Sequence, residues 1–338
     1  MKKVLLATTA LVAFGGAATA QDAAAPKITL SGYAEIGVDG GNFGYTTQFH
    51  NDWQVNINFA SETDGGLSFG GKVQIEESNS PQRINGIGAT GIKIDDEQFW
   101  VKGDFGKVTL GETAGALDWA APDIYVGTSI SDDHSTHAGV YWNTGLDGFY
   151  DDQVMRYEYS FGDWAVAGSM EMDDTGVGDP VLGVGAKWSG SLSGADVSAG
   201  IGYQSNGDID TWSLAATAKM ANGVSAGLGY ALFNDSATSG FTDYIGNGVA
   251  VDSWVGVDVA YTTGALTVGA NYGMYSAVNA GDSDPKGWGL VANYDLGGGA
   301  VAMFGYGASS GTDASGSTYG NGNGHGSKTW SAGLGMSF

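Results

Sequence analysis

Phe49-His50-Asn51-Asp52-Trp53-Gln54-Val55-Asn56-Ile57-Asn58-Phe59 is the run on which the reading of this chain turns. Phe49, Trp53, Val55, Ile57 and Phe59 share one phase, and His50, Asp52, Gln54, Asn56 and Asn58 share the other. Side chains alternate across an extended strand, so the run has one apolar and one polar face. Helical spacing would scatter the same residues around an axis.

The pattern extends in both directions. Upstream, Ile28, Leu30, Gly32, Ala34, Ile36 and Val38 alternate with Thr29, Ser31, Glu35 and Gly37. Downstream, Leu67, Phe69, Val73 and Ile75 alternate with Ser68, Lys72, Gln74 and Glu76. It recurs near 96–105, 107–111, 152–161, 164–172, 181–189, 196–204, 210–220, 224–233, 251–262, 266–275, 286–295, 300–308 and 327–338. Sixteen strands are expected. Tight turns such as Thr63-Asp64-Gly65-Gly66, Gly162-Asp163, Ala221-Asn222-Gly223 and Thr263-Gly264 alternate with long polar segments. The Gly-containing pairs suit tight hairpins. One rim should carry turns and the other loops.

Composition narrows the classes. The 338 residues include 13 Lys or Arg against 37 Asp or Glu, a formal charge of −24. Nucleic acid is excluded as a partner, because its binding needs basic surface. Cysteine is absent, so neither a disulfide scaffold nor a thiolate metal site is available. The 10 Trp, 16 Tyr and 13 Phe argue against disorder. Glycine, with 59 residues, is far above the ordinary share of about 7%.

Two environments satisfy such alternation: a packed sandwich core, or lipid outside and water inside a barrel. Lys27, Lys72, Lys102, Lys107, Arg156, Lys187 and Lys219 lie on the polar phase, while Arg83, Lys93, Lys286 and Lys328 fall in loops or at strand ends. The apolar phase is thin at Ala199, Ala216, Ala218, Ala226 and Ala292, adequate against acyl chains but poor for a core. Aromatics collect near strand ends on that phase, at Tyr159, Phe161, Trp164, Trp188, Tyr203, Trp212, Tyr230, Tyr261, Tyr272, Tyr294 and Trp330. That is the distribution expected at membrane interfaces. Closure removes the exposed edges an open sheet of this size would carry. The expected fold is an all-β, 16-stranded antiparallel transmembrane barrel over 21–338, with a lumen too wide for side chains to fill, so that it holds water.

The N-terminus reads as an address. Lys2 and Lys3, the apolar run 4–14 and Ala18-Thr19-Ala20 have the layout of a secretory signal peptide, with cleavage expected after Ala20. Removing it takes two Lys and no acid, so the charge falls from −24 to −26. No later run has the roughly 18 apolar residues of a membrane helix.

Ile28-Thr29-Leu30-Ser31-Gly32-Tyr33, a very long third loop and the ending Trp330-Ser331-Ala332-Gly333-Leu334-Gly335-Met336-Ser337-Phe338 resemble a general diffusion porin of the Gram-negative outer membrane, alphaproteobacterial type. The resemblance spans 21–338. It implies a homotrimer in outer-membrane lipid and lipopolysaccharide, with short periplasmic turns, long extracellular loops and a third loop folded into each pore. In this chain that loop is about 112–150, with Glu112, Asp118, Asp123, Asp132, Asp133 and Asp147 as its acids. The Pro-Glu-Phe-Gly-Gly stretch of enterobacterial members is absent, so their constriction residues are not transferred. The family's layout of loop acids facing wall bases points to Lys72 and Arg156 near mid-strand. Lys102, Lys107, Lys187 and Lys219 are expected nearer the periplasmic mouth. Small hydrophilic solutes and ions would diffuse passively, with weak cation selectivity from the excess of acid. A substrate-selective porin and a non-channel barrel (adhesin or enzyme) are the alternatives; Tyr33, Trp100 and Trp254 lie on the polar phase but are scattered.

No enzyme and no cofactor is expected. Gly86-Ile87-Gly88-Ala89-Thr90-Gly91 has dinucleotide-fingerprint spacing without the strand–turn–helix context it needs. Gly307-Ala308-Ser309-Ser310-Gly311 resembles a nucleophile elbow without its helix. His134 and His137 beside Asp132 and Asp133 have metal-ligand spacing, and a hydrated loop is the simpler reading. Acidic pairs, among them Asp151-Asp152 and Asp173-Asp174, could offer oxygen donors to a structural Ca2+.

Overall fold

The computed structural model describes residues 26–41, 47–78, 91–130, 132, 135–142, 145–150, 153–173, 175–235, 250–279, 281–310 and 328–338. The stretch 1–20, expected from the sequence to be a leader, lies outside the described residues. So do Arg83, Asp133, His134, Asp151, Asp152, Asp174, and most of 86–91.

Sixteen strands close a barrel in which each pairs with its sequence neighbours and the last returns to the first. They are β1 Lys27–Gly41, β2 Gln48–Glu62, β3 Ser68–Ser78, β4 Gly91–Gly103, β5 Gly106–Glu112, β6 Gln153–Phe161, β7 Trp164–Glu171 and β8 Val181–Leu192. The second half runs β9 Ala195–Ser205, β10 Ile209–Met220, β11 Val224–Asp235, β12 Val251–Thr263, β13 Leu266–Ala277, β14 Lys286–Gly297, β15 Ala300–Ser310 and β16 Lys328–Ser337. All ladders are antiparallel. Closure pairs Tyr33 with Ser337 through Gly41 with Thr329. Phe338 finishes the seam: its N–H donates to the Gly32 carbonyl at 2.9 Å and its carbonyl accepts from the Gly32 N–H at 3.1 Å.

The exposed face is the greasy one. Leu30, Phe49, Phe99, Leu110, Val184, Leu214, Leu228, Val259 and Leu290 all point outward and are exposed. Aromatics pair across neighbouring strands near its margins. Phe161 opposes Trp164, which opposes Trp188 at the tight-turn rim. Toward the other rim, the Tyr203 and Trp212 rings lie 4.6 Å apart and Trp288 and Tyr306 5.6 Å apart.

One strand departs from the sequence expectation. β4 begins at Gly91, five residues before 96, and Lys93 therefore lies within a strand and not in a loop. The cause is a bulge between the Lys72 and Gln74 partners, where Asp96 takes φ +50°. An inserted residue shifts the alternation by one. Ile92 and Ile94 face out before the bulge, and Phe99 and Val101 face out after it.

The barrel also has an interior core. Ile124, Val140, Trp142 and Leu146 of the third loop pack with Val181, Ile209, Ala231, Phe233, Val251, Trp254 and Tyr275 of the wall. Water therefore does not occupy the whole lumen, because the loop fills part of it, with this apolar core lying along β8–β13.

Candidate functional site: the constriction loop and its wall

Between β5 and β6 the chain turns inward. Helix α1 (Ala116–Ala120) packs on β7, β8 and β9, and a 3-10 turn at His137–Gly139 packs on β13, β14 and β15. The wall beneath is glycine where the loop comes closest. A Cβ on Gly200 would lie 1.8 Å from the Ala120 carbonyl oxygen, and one on Gly202 2.5 Å from Leu117 Cα. Under the 3-10 turn, a Cβ on Gly287 would lie 2.0 Å from the His137 carbonyl oxygen. Here the missing side chain permits close approach of two backbones. The inner faces of β7–β16 thus form a trough in which the loop lies.

Buried and half-buried polar side chains fasten it there. Asn271 accepts the His137 N–H at 2.7 Å and donates to the Ser135 carbonyl at 2.7 Å. The Trp254 indole donates to the Val140 carbonyl at 3.1 Å, and the Tyr275 hydroxyl to the Tyr141 carbonyl at 2.9 Å. Asn293 donates to the Thr128 carbonyl at 3.0 Å, and the Ser331 hydroxyl to that of Ser129 at 2.7 Å. At the loop's root, Ser169 Oγ accepts the Ala116 N–H at 2.8 Å, and Asp147 accepts the Gly115 N–H at 2.6 Å. Gln204 donates to Asp147 at 2.6 Å and accepts the Leu146 N–H at 2.7 Å. An unmade hydrogen bond inside such a packed region costs about 1–3 kcal/mol, so these pairings hold the loop in one place.

The loop acids occupy different surroundings. Asp118 lies on α1 within electrostatic range of Arg156 and Lys187. Asp123 is half-buried within the loop, and burial pushes its carboxyl up despite the Tyr141 hydroxyl donating to it at 2.9 Å. Asp132 reaches the opposite wall and lines a cavity of about 170 Å³ with Tyr33, Glu35, Asp52, Gln54 and Asn293. Glu112 ends β5 within hydrogen-bond reach of Asp95, which also meets Glu76 and pairs with Lys93 at 2.9 Å.

Four of the expected inward bases meet a carboxylate or a loop carbonyl, and two of these hold the loop. Arg156 is 6% exposed and donates to the Ala114 carbonyl. Lys187 stands midway along β8, deeper than its count from the tight turn suggested, and donates to the Trp119 carbonyl at 3.0 Å. Lys72 pairs with Asp96 at 2.8 Å and Lys107 with Glu158 at 3.1 Å. Lys102 faces inward near the tight-turn rim, opposite Lys107. His50, read from the sequence only as a polar-phase residue, adds a charged cluster: its ring meets Glu35 at 3.2 Å and Asp39 at 3.4 Å on the inner face of β1 and β2.

Among the described residues, no group of three His, Asp or Glu is arranged to hold a metal. His137 is fully buried, its Nε2 donates to the Ile124 carbonyl at 2.7 Å, and burial pushes its imidazole down to about 4. The Gly307–Ser310 stretch is ordinary β15, with Ser309 buried.

A closed 16-stranded barrel, greasy outside and narrowed inside by a long loop, defines a channel-type outer-membrane protein. The family model for Gram-negative porins matches residues 7–336, and the chain belongs to that family. It is 30% identical over 298 residues to the porin of Rhodobacter capsulatus, covering 82% of this chain and 93% of that one. Among solved structures it resembles a refined porin with a TM-score of 0.69 at 23% identity. A triple mutant of Rhodopseudomonas blastica porin matches with a TM-score of 0.64 at 19% identity. Both alignments cover 92% of this chain and the whole of the other. The function is that of a general outer-membrane porin, through which small hydrophilic solutes diffuse passively.

Proposed function

We propose that this porin is weakly cation-selective and works as a homotrimer of separate pores, exported by a leader removed after Ala20. The observation that carries the selectivity is the disposition of charge around the constriction. Lys72, Lys107, Arg156 and Lys187 each meet a carboxylate or a loop carbonyl. Glu35, Asp52 and Asp132 together line one open cavity at the loop. In a narrow aqueous passage between low-dielectric walls, this excess of acid raises the local cation concentration. The paired bases and acids also order water across the pore, which disfavours apolar solutes unable to replace its hydrogen bonds.

Of the sequence-expected residues, Glu112, Asp118 and Asp132 with Lys72 and Lys102 are proposed to set the pore field. Arg156 and Lys187 are proposed to set the loop position as well. Asp133 is proposed as a further acid of the pore field, and Asp132, Asp133, Asp151 and Asp152 as oxygen donors to a structural Ca2+. The trimer, its lipopolysaccharide contacts and its surrounding lipid rest on family membership. Reversal potential in a salt gradient tests the selectivity: a modest cation preference is expected, and a clear anion preference overturns it.

A further inference from the structure

The two ends of the constriction loop meet at one carboxylate. Gly115, at the entrance of the loop, donates its N–H to Asp147 Oδ2 at 2.6 Å across 32 residues of chain. Asp147 Oδ1 accepts from Gln204 Nε2 at 2.6 Å, and Gln204 Oε1 accepts the Leu146 N–H at 2.7 Å. Both carboxylate oxygens of Asp147 and both ends of the Gln204 amide are thus engaged. Gln204, on β9, is 1% exposed. Its surroundings are cleared for it. A Cβ on Gly115 would lie 2.1 Å from Asp147 Oδ1, and one on Gly145 1.9 Å from Gln204 Oε1. A Cβ on Gly183 would lie 3.0 Å from Gln204 Cγ. A buried amide and a half-buried carboxylate, engaged at both of their ends and flanked by glycine, make a specific joint.

We propose that Asp147 and Gln204 form a clasp that closes the loop into a ring against the wall and so sets the size limit of the pore, an inference that rests on the porin reading. The clasp ties entrance to exit, and the exit to β9. With it open, the loop is still attached through Asn271, Trp254 and Tyr275, but its root moves away from the wall. Asp147 and Gln204 are positioning residues. They act through the loop and need not touch the solute.

The chemistry of the joint supplies its own test. Asp147→Asn keeps the shape but offers one acceptor where two donors converge, Gly115 N–H and Gln204 NH2. Gln204→Glu keeps the shape but sets a second carboxylate against Asp147. The double variant Asp147→Asn/Gln204→Glu restores all three bonds. In it, the amide at position 147 would accept from Gly115 through its oxygen and donate through its nitrogen to the carboxylate at position 204. That carboxylate would accept the Leu146 N–H with its other oxygen, and the net charge is unchanged.

The experiment is swelling of liposomes containing the full-length protein in a pentose and in a disaccharide, with folding checked by heat-shifted gel migration. Each single variant is expected to raise the disaccharide-to-pentose ratio on the order of tenfold, the factor given by one lost charge-assisted hydrogen bond. The double variant is expected to return to the wild-type ratio. Folded single variants with the wild-type ratio overturn the clasp, as does a double variant no better than the worse single. If a single variant fails to fold, recovery of folding and size limit in the double supports the clasp, and no recovery overturns it. A wild-type protein admitting neither sugar would overturn the porin reading itself, whereas a permeable wild type with indifferent variants overturns only the clasp.

Discussion

The ammonium of Lys187 stands 3.7 Å from the centre of the Trp119 ring and donates to the Trp119 carbonyl at 3.0 Å. A base projecting from the barrel wall thus closes the end of α1, using both a ring face and a terminal carbonyl. Each contact of this kind is worth about 1 kcal/mol. Lys187→Met keeps the aliphatic stem and removes both contacts. We expect α1 to loosen and the loss of one positive charge to increase the cation preference. A reversal potential moving toward anions would contradict the placement of Lys187 beside the passage.

The trough predicts where a single methyl group is tolerated. Gly200→Ala places a Cβ against the Ala120 carbonyl oxygen, whereas Gly168→Ala meets nothing closer than 3.8 Å. Overpacking of this kind costs about 1–3 kcal/mol. Gly200→Ala should leave the barrel resistant to heat but displace the loop, seen as altered single-channel conductance and faster proteolysis between 112 and 150. Gly168→Ala should match the wild type.

Acid should loosen the loop through His137. Burial holds its imidazole near 4, below the 6.5 of an exposed one. The unfolded loop therefore binds a proton that the packed loop resists. Stability from this group is full above 6.5, falls as the pH drops toward 4, and levels off below, a loss of about 3 kcal/mol at most. Asp123 works in the opposite sense, since its raised carboxyl binds a proton more readily when packed. Current noise in planar bilayers should increase from pH 7 to pH 4.5 in the wild type. His137→Phe should flatten that dependence, and an unchanged dependence would remove His137 as its source.

Membrane-facing and lumen-facing positions should respond differently to charge. Leu214 lies on the outer face of β10 and Asn58 on the inner face of β2. Leu214→Arg should cost about 2–4 kcal/mol near mid-membrane, while Asn58→Asp should be nearly neutral. Denaturant unfolding from lipid vesicles measures both, and equal tolerance would argue against lipid at Leu214.

Strand number, phase and rim assignment were readable because each depends on neighbours two residues apart. Ile57 and Asn58 declare their faces without knowing the rest of the chain. β4 escaped in part because the bulge at Asp96 reversed its phase. The loop's seat was hidden for a different reason: Gly200, Gly202 and Gly287 acquire their meaning from residues of a segment far back along the chain. In sequence they are simply glycines in a glycine-rich strand. Trp254 on the polar phase was a visible anomaly, and its role as an anchor for Val140 needed the fold. Gln204 gave no signal at all, since a glutamine on a lumen phase is ordinary until its partners are known. Arg156 and Lys187 were legible as inward bases, but not as groups that grip the loop.

The polar faces of these strands enclose water, and a single loop narrows it. Single-channel conductance in a planar bilayer with neutral polymers of graded size probes that arrangement without an intermediary. Polymers small enough to enter should lower the conductance in step with the bulk solution, and those above a sharp size limit should leave it unchanged. Absence of channels, or conductance indifferent to every polymer size, would be incompatible with a water-filled, loop-narrowed lumen.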